Sequence, residues 1–347
     1  MDTWMLVAVV AVGVVSTPAC IFFILFNFSP HSLIRLSFRI RQYLAGMKIK
    51  YVGDENIVFC YGENDVAPRP DQPSIVFVHG FSSSKDQWIT CFKGFPKDLH
   101  LIAVDLPGHG ASSVPPEKVQ LDLEYVVETL RLFIDLVGLK DRKVHLIGSS
   151  LGGAIVGLFA AAYPDRVEKL TMVCPAMQTP INSEFAIQVK EAIAMGIENI
   201  TTSHCKLLPT DVPGVKAMLE VCCYSKDLIN SSSDQMWKGF LNLRLPKTEF
   251  YLRLFKGITS TENLDVLERT APKITVPTQL VWGTQDQVIH VSGAEVLRSK
   301  LPNCQRVDLI ENCGHAIDID RPGAFTKFLL TFIRSDVLMA KEDKKLQ

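Results

Sequence analysis

The stretch Val144-His145-Leu146-Ile147-Gly148-Ser149-Ser150-Leu151-Gly152-Gly153 constrains this chain more than any other. Residues of strand character run into Gly-x-Ser-x-Gly, and an alanine-rich, apolar helix pattern follows through Tyr163 and stops at Pro164. Gly148 and Gly152 leave room for a sharp strand-to-helix turn that lifts Ser150 above a sheet with its hydroxyl exposed. A serine in an ordinary loop has no need for small residues on both sides and an apolar element on each flank. Ser150 is therefore the first candidate nucleophile.

The same rhythm recurs along the chain. Residues 74–78 read as a strand covered on both faces and end at His79-Gly80-Phe81; residues 101–104 form another, ending at Asp105-Leu106-Pro107-Gly108-His109-Gly110. Residues 167–173, 278–282 and 304–310 continue the series, closed by Cys174-Pro175, Gly283-Thr284-Gln285-Asp286 and Glu311-Asn312-Cys313-Gly314-His315. Residues 48–52 and 57–61 predict an antiparallel hairpin at the sheet edge. Helix patterns cover 121–139 and 322–339, the second with Phe325, Phe328, Leu329, Leu330 and Phe332 toward the core. The fold class is α/β, a mostly parallel doubly wound sheet, with ligands expected outside the carboxyl ends of the strands.

Between 177 and 260 the alternation stops, and helical stretches over 184–195, 214–222 and 234–243 carry Ile187, Ile193, Met195, Met218, Leu219, Met236, Trp237 and Phe240. This segment reads as a helical cap. Its apolar residues serve either to glue the cap to the core or to line a pocket for a long acyl chain. The expected organisation is a core in two parts, 48–176 and 261–340, the cap at 177–260, and a polar tail at 341–347.

No residue from 3 to 30 is charged, and 5–28 is apolar enough for a spanning helix, kinked at Pro18. Arg35, Arg39, Arg41, Lys48 and Lys50 follow without an acid among them. That asymmetry predicts a signal anchor over 1–30 with the catalytic body in the cytosol, a type II arrangement. A cleaved signal peptide is disfavoured by the absent basic start and the lack of a small-x-small site. Residues 31–47 form a basic segment; within it 33–44 is either a short helix lying on the membrane or a plain linker, since its apolar positions do not fall cleanly on one face. Nine cysteines without paired spacing suit reduced, packed thiols, in keeping with the cytosolic side. Basic and acidic residues number 36 and 37, which gives a nucleic-acid partner no electrostatic support.

Ser150, Asp286 and His315 follow one another in the chain order nucleophile, acid, base, each at a strand end. His315 would take the hydroxyl proton during attack and Asp286 would fix its tautomer. Two backbone N–H groups, of Phe81 and Leu151, are the candidate oxyanion donors. Glu311 reads as a local hydrogen-bond partner or surface charge, Cys313 as a packing residue, and Asp105 and His109 as loop structure rather than a second acid and base. No histidines have metal-ligand spacing, and acyl transfer through a serine calls for no cofactor.

With these motifs in place, together with residues 84–88 and 279–288, the chain resembles the α/β-hydrolase-domain family, and within it is similar to the membrane-anchored monoacylglycerol lipases of animals. The resemblance spans nearly the whole chain. It implies hydrolysis of monoacylglycerols, including 2-arachidonoylglycerol, to fatty acid and glycerol, with some activity on lysophospholipids and bis(monoacylglycero)phosphate. It also implies residence on late endosomal, lysosomal and plasma membranes and association with AMPA-type glutamate receptors. The family motifs place nucleophile, acid and base on Ser150, Asp286 and His315. Ser149 and Leu151 stand beside the nucleophile where threonine and methionine are frequent in the family, a change that preserves size.

Overall fold

Eight strands make one sheet: β1 (Lys48–Gly53), β2 (Val58–Glu63), β3 (Ser74–Val78), β4 (Leu101–Val104), β5 (Val144–Ser149), β6 (Val167–Val173), β7 (Thr278–Gly283) and β8 (Cys304–Ile310). The structure, a computed structural model, describes residues 19–260 and 262–335. The strand order is β1-β2-β4-β3-β5-β6-β7-β8. β1 pairs antiparallel with β2, and β2 antiparallel with β4, so the hairpin forms the sheet edge as its sequence predicts. All later pairings are parallel. Strands β3, β4, β5 and β7 are buried along their whole length, the environment that their unbroken apolar runs require.

Parallel register brings the strand ends to one edge. Val78 pairs with Gly148, Val173 with Val281, and Gly283 with Ile310, so the loops after β3, β5, β6, β7 and β8 open together. Behind them Phe77 packs its ring 4.9 Å from Trp88, 6.0 Å from Phe92 and 5.7 Å from Phe95, which ties β3 to the segment that follows it.

Some helices differ from their sequence pattern at the ends. The pattern over 121–139 becomes a helix at Leu123–Ile134, capped by the Asp122 side chain accepting from the Tyr125 N–H, and then a wider turn at Asp135–Leu139. Gly138 adopts a φ of 78° there, open to glycine at little cost, and this breaks the regular helix. The closing helix is Pro322–Ile333, with Phe325, Leu329 and Phe332 buried; residues 336–339 of the predicted stretch lie outside the described residues.

The cap follows β6 and contains helices Glu184–Ala194, Val212–Cys222, Asp227–Ser231, Asp234–Arg244 and Thr248–Ile258. Its apolar residues divide by position. Met218, Leu219 and Trp237 join Val215, Cys223 and Leu241 in a small core of the cap's own. Phe250, Tyr251, Leu254 and Phe255 belong to the main core. Ile187 and Met195 remain exposed. For Met218, Leu219 and Trp237 the packing role holds.

Only part of the predicted spanning segment falls within the described residues; Pro18 and everything before it lie outside them. Helix Ala19–Phe28 is followed by helix Pro30–Ala45 at a bend of 118°, and among the described residues no single helix is long and apolar enough to cross a membrane. The basic segment is thus helical. Its patchy apolar pattern has a physical reason, because it serves two faces. One face docks on the cap, where a Cβ on Gly239 would meet the Pro30 carbonyl oxygen at 2.7 Å, and the end of the preceding helix docks there too, its Phe26 and Asn27 carbonyls accepting from Gln235 Nε2 at 2.7 and 3.0 Å. Gln42 Nε2 also donates to Asp86 Oδ1 at 2.6 Å. The other face leaves Leu36, Ile40, Tyr43 and Leu44 exposed beside Arg35, Arg39 and Arg41.

Phe77→Ala removes the ring at the centre of the aromatic cluster and should cost about 3–5 kcal/mol of stability. The urea midpoint of the detergent-solubilised chain should fall accordingly, and Phe77→Leu, which fills more of the cavity, should cost less.

Candidate active site

Ser150 stands at the turn between β5 and the helix Leu151–Ala162 with φ 56° and ψ −120°, a conformation that non-glycine residues adopt only when the surroundings impose it. They do. Its N–H donates to the Val173 carbonyl at 2.8 Å, and its own carbonyl accepts from the Ala176 N–H at 2.9 Å. The flanking glycines are required by close approach: a Cβ on Gly148 would lie 2.1 Å from the Gly152 carbonyl oxygen, and one on Gly152 would lie 2.3 Å from that of Val78. The loop after β3 passes directly over the serine, since a Cβ on Gly80 would sit 3.7 Å from Ser150 Oγ.

Asp286 and His315 meet at the ends of β7 and β8. His315 Nδ1 lies 2.7 Å from Asp286 Oδ2, and Asp286 Oδ1 accepts from the Val288 and Ile289 N–H groups at 2.8 and 2.9 Å. The Asp286 side chain is fully buried and that of His315 nearly so. With Nδ1–H engaged by the carboxylate, Nε2 is the ring nitrogen left to exchange a proton. Cys174 lies beside the pair, and the three offer ligand atoms within 4.8 Å of one another. This is a poor cation site: burial holds the Cys174 thiol well above its ordinary pKa and therefore protonated, while Asp286 and the His315 Nδ1–H are already bound to each other.

The loop after β3 is held by side chains of distant segments. Gly80 N–H donates to Gln87 Oε1 at 3.2 Å and Ser82 N–H donates to His109 Nε2 at 3.2 Å. Between them the Phe81 N–H has no protein acceptor among the described residues, and neither has that of Leu151 at the start of its helix. Both candidate oxyanion donors are thus left unspent.

Two buried histidines support this loop. His79 Nε2 accepts from the Leu106 N–H at 3.0 Å, and its Nδ1 donates to the Gly80 carbonyl at 2.8 Å. His109 Nδ1 donates to the Pro107 carbonyl at 3.0 Å. Burial pushes His79 down to about 4 and His109 well below its usual range, so both stay neutral and keep an accepting nitrogen. Asp105 accepts from Lys85 N–H at 2.7 Å, Ala111 N–H at 2.9 Å and Lys85 Nζ at 2.9 Å. Asp105 and His109 therefore hold loops. Cys313 is buried packing, and exposed Glu311 accepts from Thr284 Oγ1 at 3.4 Å.

Gln87 and Asp318 carry no local sequence signal and join the site only in the fold. Gln87 Nε2 donates to Ser149 Oγ and to Asp318 Oδ1, each at 3.3 Å, while its Oε1 holds Gly80. Residues 84–88 stood out only as a point of resemblance; nothing local marks Gln87, because Asp318 is 231 residues away.

Residues 73–322 match the family described as alpha/beta hydrolase fold. This chain is an α/β-hydrolase. It is 36% identical over 342 residues to human "Monoacylglycerol lipase ABHD6", covering 97% of this chain and 97% of the relative. It is 35% identical over 331 residues to "Monoacylglycerol lipase abhd6-B" of Xenopus laevis, 94% of each. Among solved structures, a bacterial membrane phospholipase A superposes with a TM-score of 0.76 at 25% identity, covering 96% of this chain and 99% of that one. Within the α/β-hydrolases this chain thus groups with the animal ABHD6 proteins.

Burial pushes Asp318 of this α/β-hydrolase up to about 6, against the hydrogen bond from Gln87 and the field of His315. The folded chain then keeps a proton that the unfolded chain, with an ordinary value of 3.8, has already released. Stability from this group is present at acid pH and is lost as pH rises toward 6. Asp318→Asn should remove that slope, so urea midpoints compared across the window should move in favour of the variant as pH rises.

Proposed function

We propose that this chain is a membrane-associated serine lipase that hydrolyses monoacylglycerols, 2-arachidonoylglycerol among them, to fatty acid and glycerol. The observation that carries the reading is the Asp286–His315 pair at the ends of β7 and β8, on the same sheet edge as the Ser150 turn, in a chain related over nearly its full length to animal monoacylglycerol lipases. His315 Nε2 takes the proton of Ser150 Oγ as the oxygen attacks the ester carbonyl. The carbonyl oxygen becomes an oxyanion held by the N–H groups of Phe81 and Leu151. Collapse expels glycerol, which takes the proton from His315 and leaves an acyl-serine; water repeats the sequence and releases the fatty acid. Every step uses groups of this chain, with no metal or organic cofactor.

The membrane is the second element of the proposal. Residues 1–30 serve as a signal anchor, 31–47 as a basic helix at the bilayer surface, and the catalytic body, 48–176 and 261–340 with its cap at 177–260, faces the cytosol. Support comes from the outward stripe of Leu36, Ile40, Tyr43 and Leu44, bordered by arginines suited to lipid phosphate. Late endosomal, lysosomal and plasma membranes are the proposed sites. In the full-length chain reconstituted in vesicles rich in phosphatidylserine, substituting Ile40 and Leu44 together by Asp should lower turnover of vesicle-borne monoacylglycerol and leave turnover of a soluble ester unchanged.

A phospholipid substrate is the second reading, favoured by the likeness to a membrane phospholipase A. Fatty-acid release from 1- and 2-monoacylglycerol beside lysophospholipids and bis(monoacylglycero)phosphate, with the full-length solubilised chain, separates the two. Ser150-dependent preference for monoacylglycerol supports the first; preference for charged headgroups moves the substrate. Ser150→Ala should abolish release, and Asp286→Asn should lower kcat by about 10³–10⁴. An AMPA-type receptor association would survive Ser150→Ala, and a cellular effect that persists in that variant would point to it.

A further inference from the structure

We propose that Arg244, at the end of a cap helix, is the positioning residue that holds the Phe81 N–H in register with Ser150. The inference rests on the acyl-transfer reading above and adds a group that the reading does not use.

Arg244 Nη1 donates to the Ser82 carbonyl at 2.7 Å, and its Nη2 donates to Ser82 Oγ at 2.6 Å and to the Leu207 carbonyl at 3.0 Å. Ser82 Oγ in turn faces the Leu207 carbonyl at 3.5 Å. The guanidinium fork thus grips both the backbone and the side chain of one residue. That residue is strained: Ser82 has a φ of 54°, in the left-handed region that serine seldom adopts. With its N–H on His109, its carbonyl and hydroxyl on Arg244, Ser82 is fixed on every polar atom. Ser82 leads into Ser83, whose N–H donates to the Gly80 carbonyl at 3.2 Å, and that carbonyl shares its peptide plane with the Phe81 N–H, so fixing Ser82 fixes the turn that aims this N–H.

Two further features argue for more than packing. Arg244 has no carboxylate partner among the described residues, and the groups that face it from the neighbouring elements are Tyr251, Cys205 and Cys222, none of them charged at neutral pH. A lone cation beside the loop that receives the oxyanion adds attraction where negative charge develops. The Phe81 ring is also held from the cap, 6.0 Å from Tyr251 and 5.7 Å from Phe255, so Arg244 completes a cap-side clamp on a loop whose core side rests on Gln87 and His79.

A positioning role predicts a particular kinetic signature. Arg244→Met and Arg244→Lys, in the full-length solubilised chain, should lower kcat on a soluble short-chain ester by roughly 10–100-fold, the lysine less severely, while KM stays within about threefold. An alkyl trifluoromethyl ketone probes the same loop. Ser150 Oγ adds to its carbonyl, the proton passes to His315, and the resulting oxyanion occupies the hole, so its affinity should fall by the same factor as kcat. Ser82→Ala, which removes one acceptor and keeps Arg244, should show the same pattern in smaller measure and reports even if Arg244→Met does not fold. A rise in KM with kcat and ketone affinity intact would assign Arg244 to substrate binding and overturn the proposal. Ser150→Ala separates the two levels: if that variant keeps full turnover, the acyl-transfer reading itself fails, whereas an inactive Ser150→Ala beside unaffected Arg244 variants overturns the positioning role alone.

Discussion

The close approach of a helix to a sheet governs this molecule. Helix Leu151–Ala162 enters so tightly against β3 and β5 that a single extra carbon at Gly148, Gly152 or Gly153 would overlap backbone atoms at 2.1, 2.3 and 2.9 Å. The approach forces Ser150 into its positive φ and puts its hydroxyl where the loop after β3 can cross it. Strain of this kind costs of order 1–3 kcal/mol and persists because the flanking strands over-determine it. The buried parallel ladder from β4 to β8 and the aromatic packing on β3 supply that restraint.

Around that corner, two kinds of polar group coexist under burial. Asp286 is met by three donors, those of Val288, Ile289 and His315. His79 and His109 give up charge and become neutral brackets for loops. A low-dielectric interior makes this division steep, since an unpaired buried charge is costly and a satisfied one is rigid. The site is accordingly assembled from hydrogen bonds that each fix one loop to another.

Much of this was legible in the chain. Strand runs, the glycine pair around Ser150 and the order of Ser150, Asp286 and His315 are local signals, and the structure brings Asp286 and His315 into contact at the ends of β7 and β8. The edge hairpin and all parallel strands stand where their apolar runs lie. The cap was legible as helical but its apolar residues were not divisible, because Met218 and Trp237 look alike in sequence to Ile187 and Met195 and differ only in what they face. The basic helix at Pro30–Ala45 was obscured by serving two surfaces at once.

The sheet, the turn at Ser150 and the meeting of Asp286 with His315 could be read from residues alone, since hydrophobic period, glycine placement and residue order are properties of neighbours in the chain. Tertiary structure decided which groups hold that chemistry in place. Gln87 reaches Asp318 across 231 residues and Arg244 reaches Ser82 across 162, and the bent N-terminal helix pair settles on Gln235 and Gly239 of the cap. Partners so distant leave no local pattern, because a hydrogen bond depends on angstrom distances that only the folded chain sets.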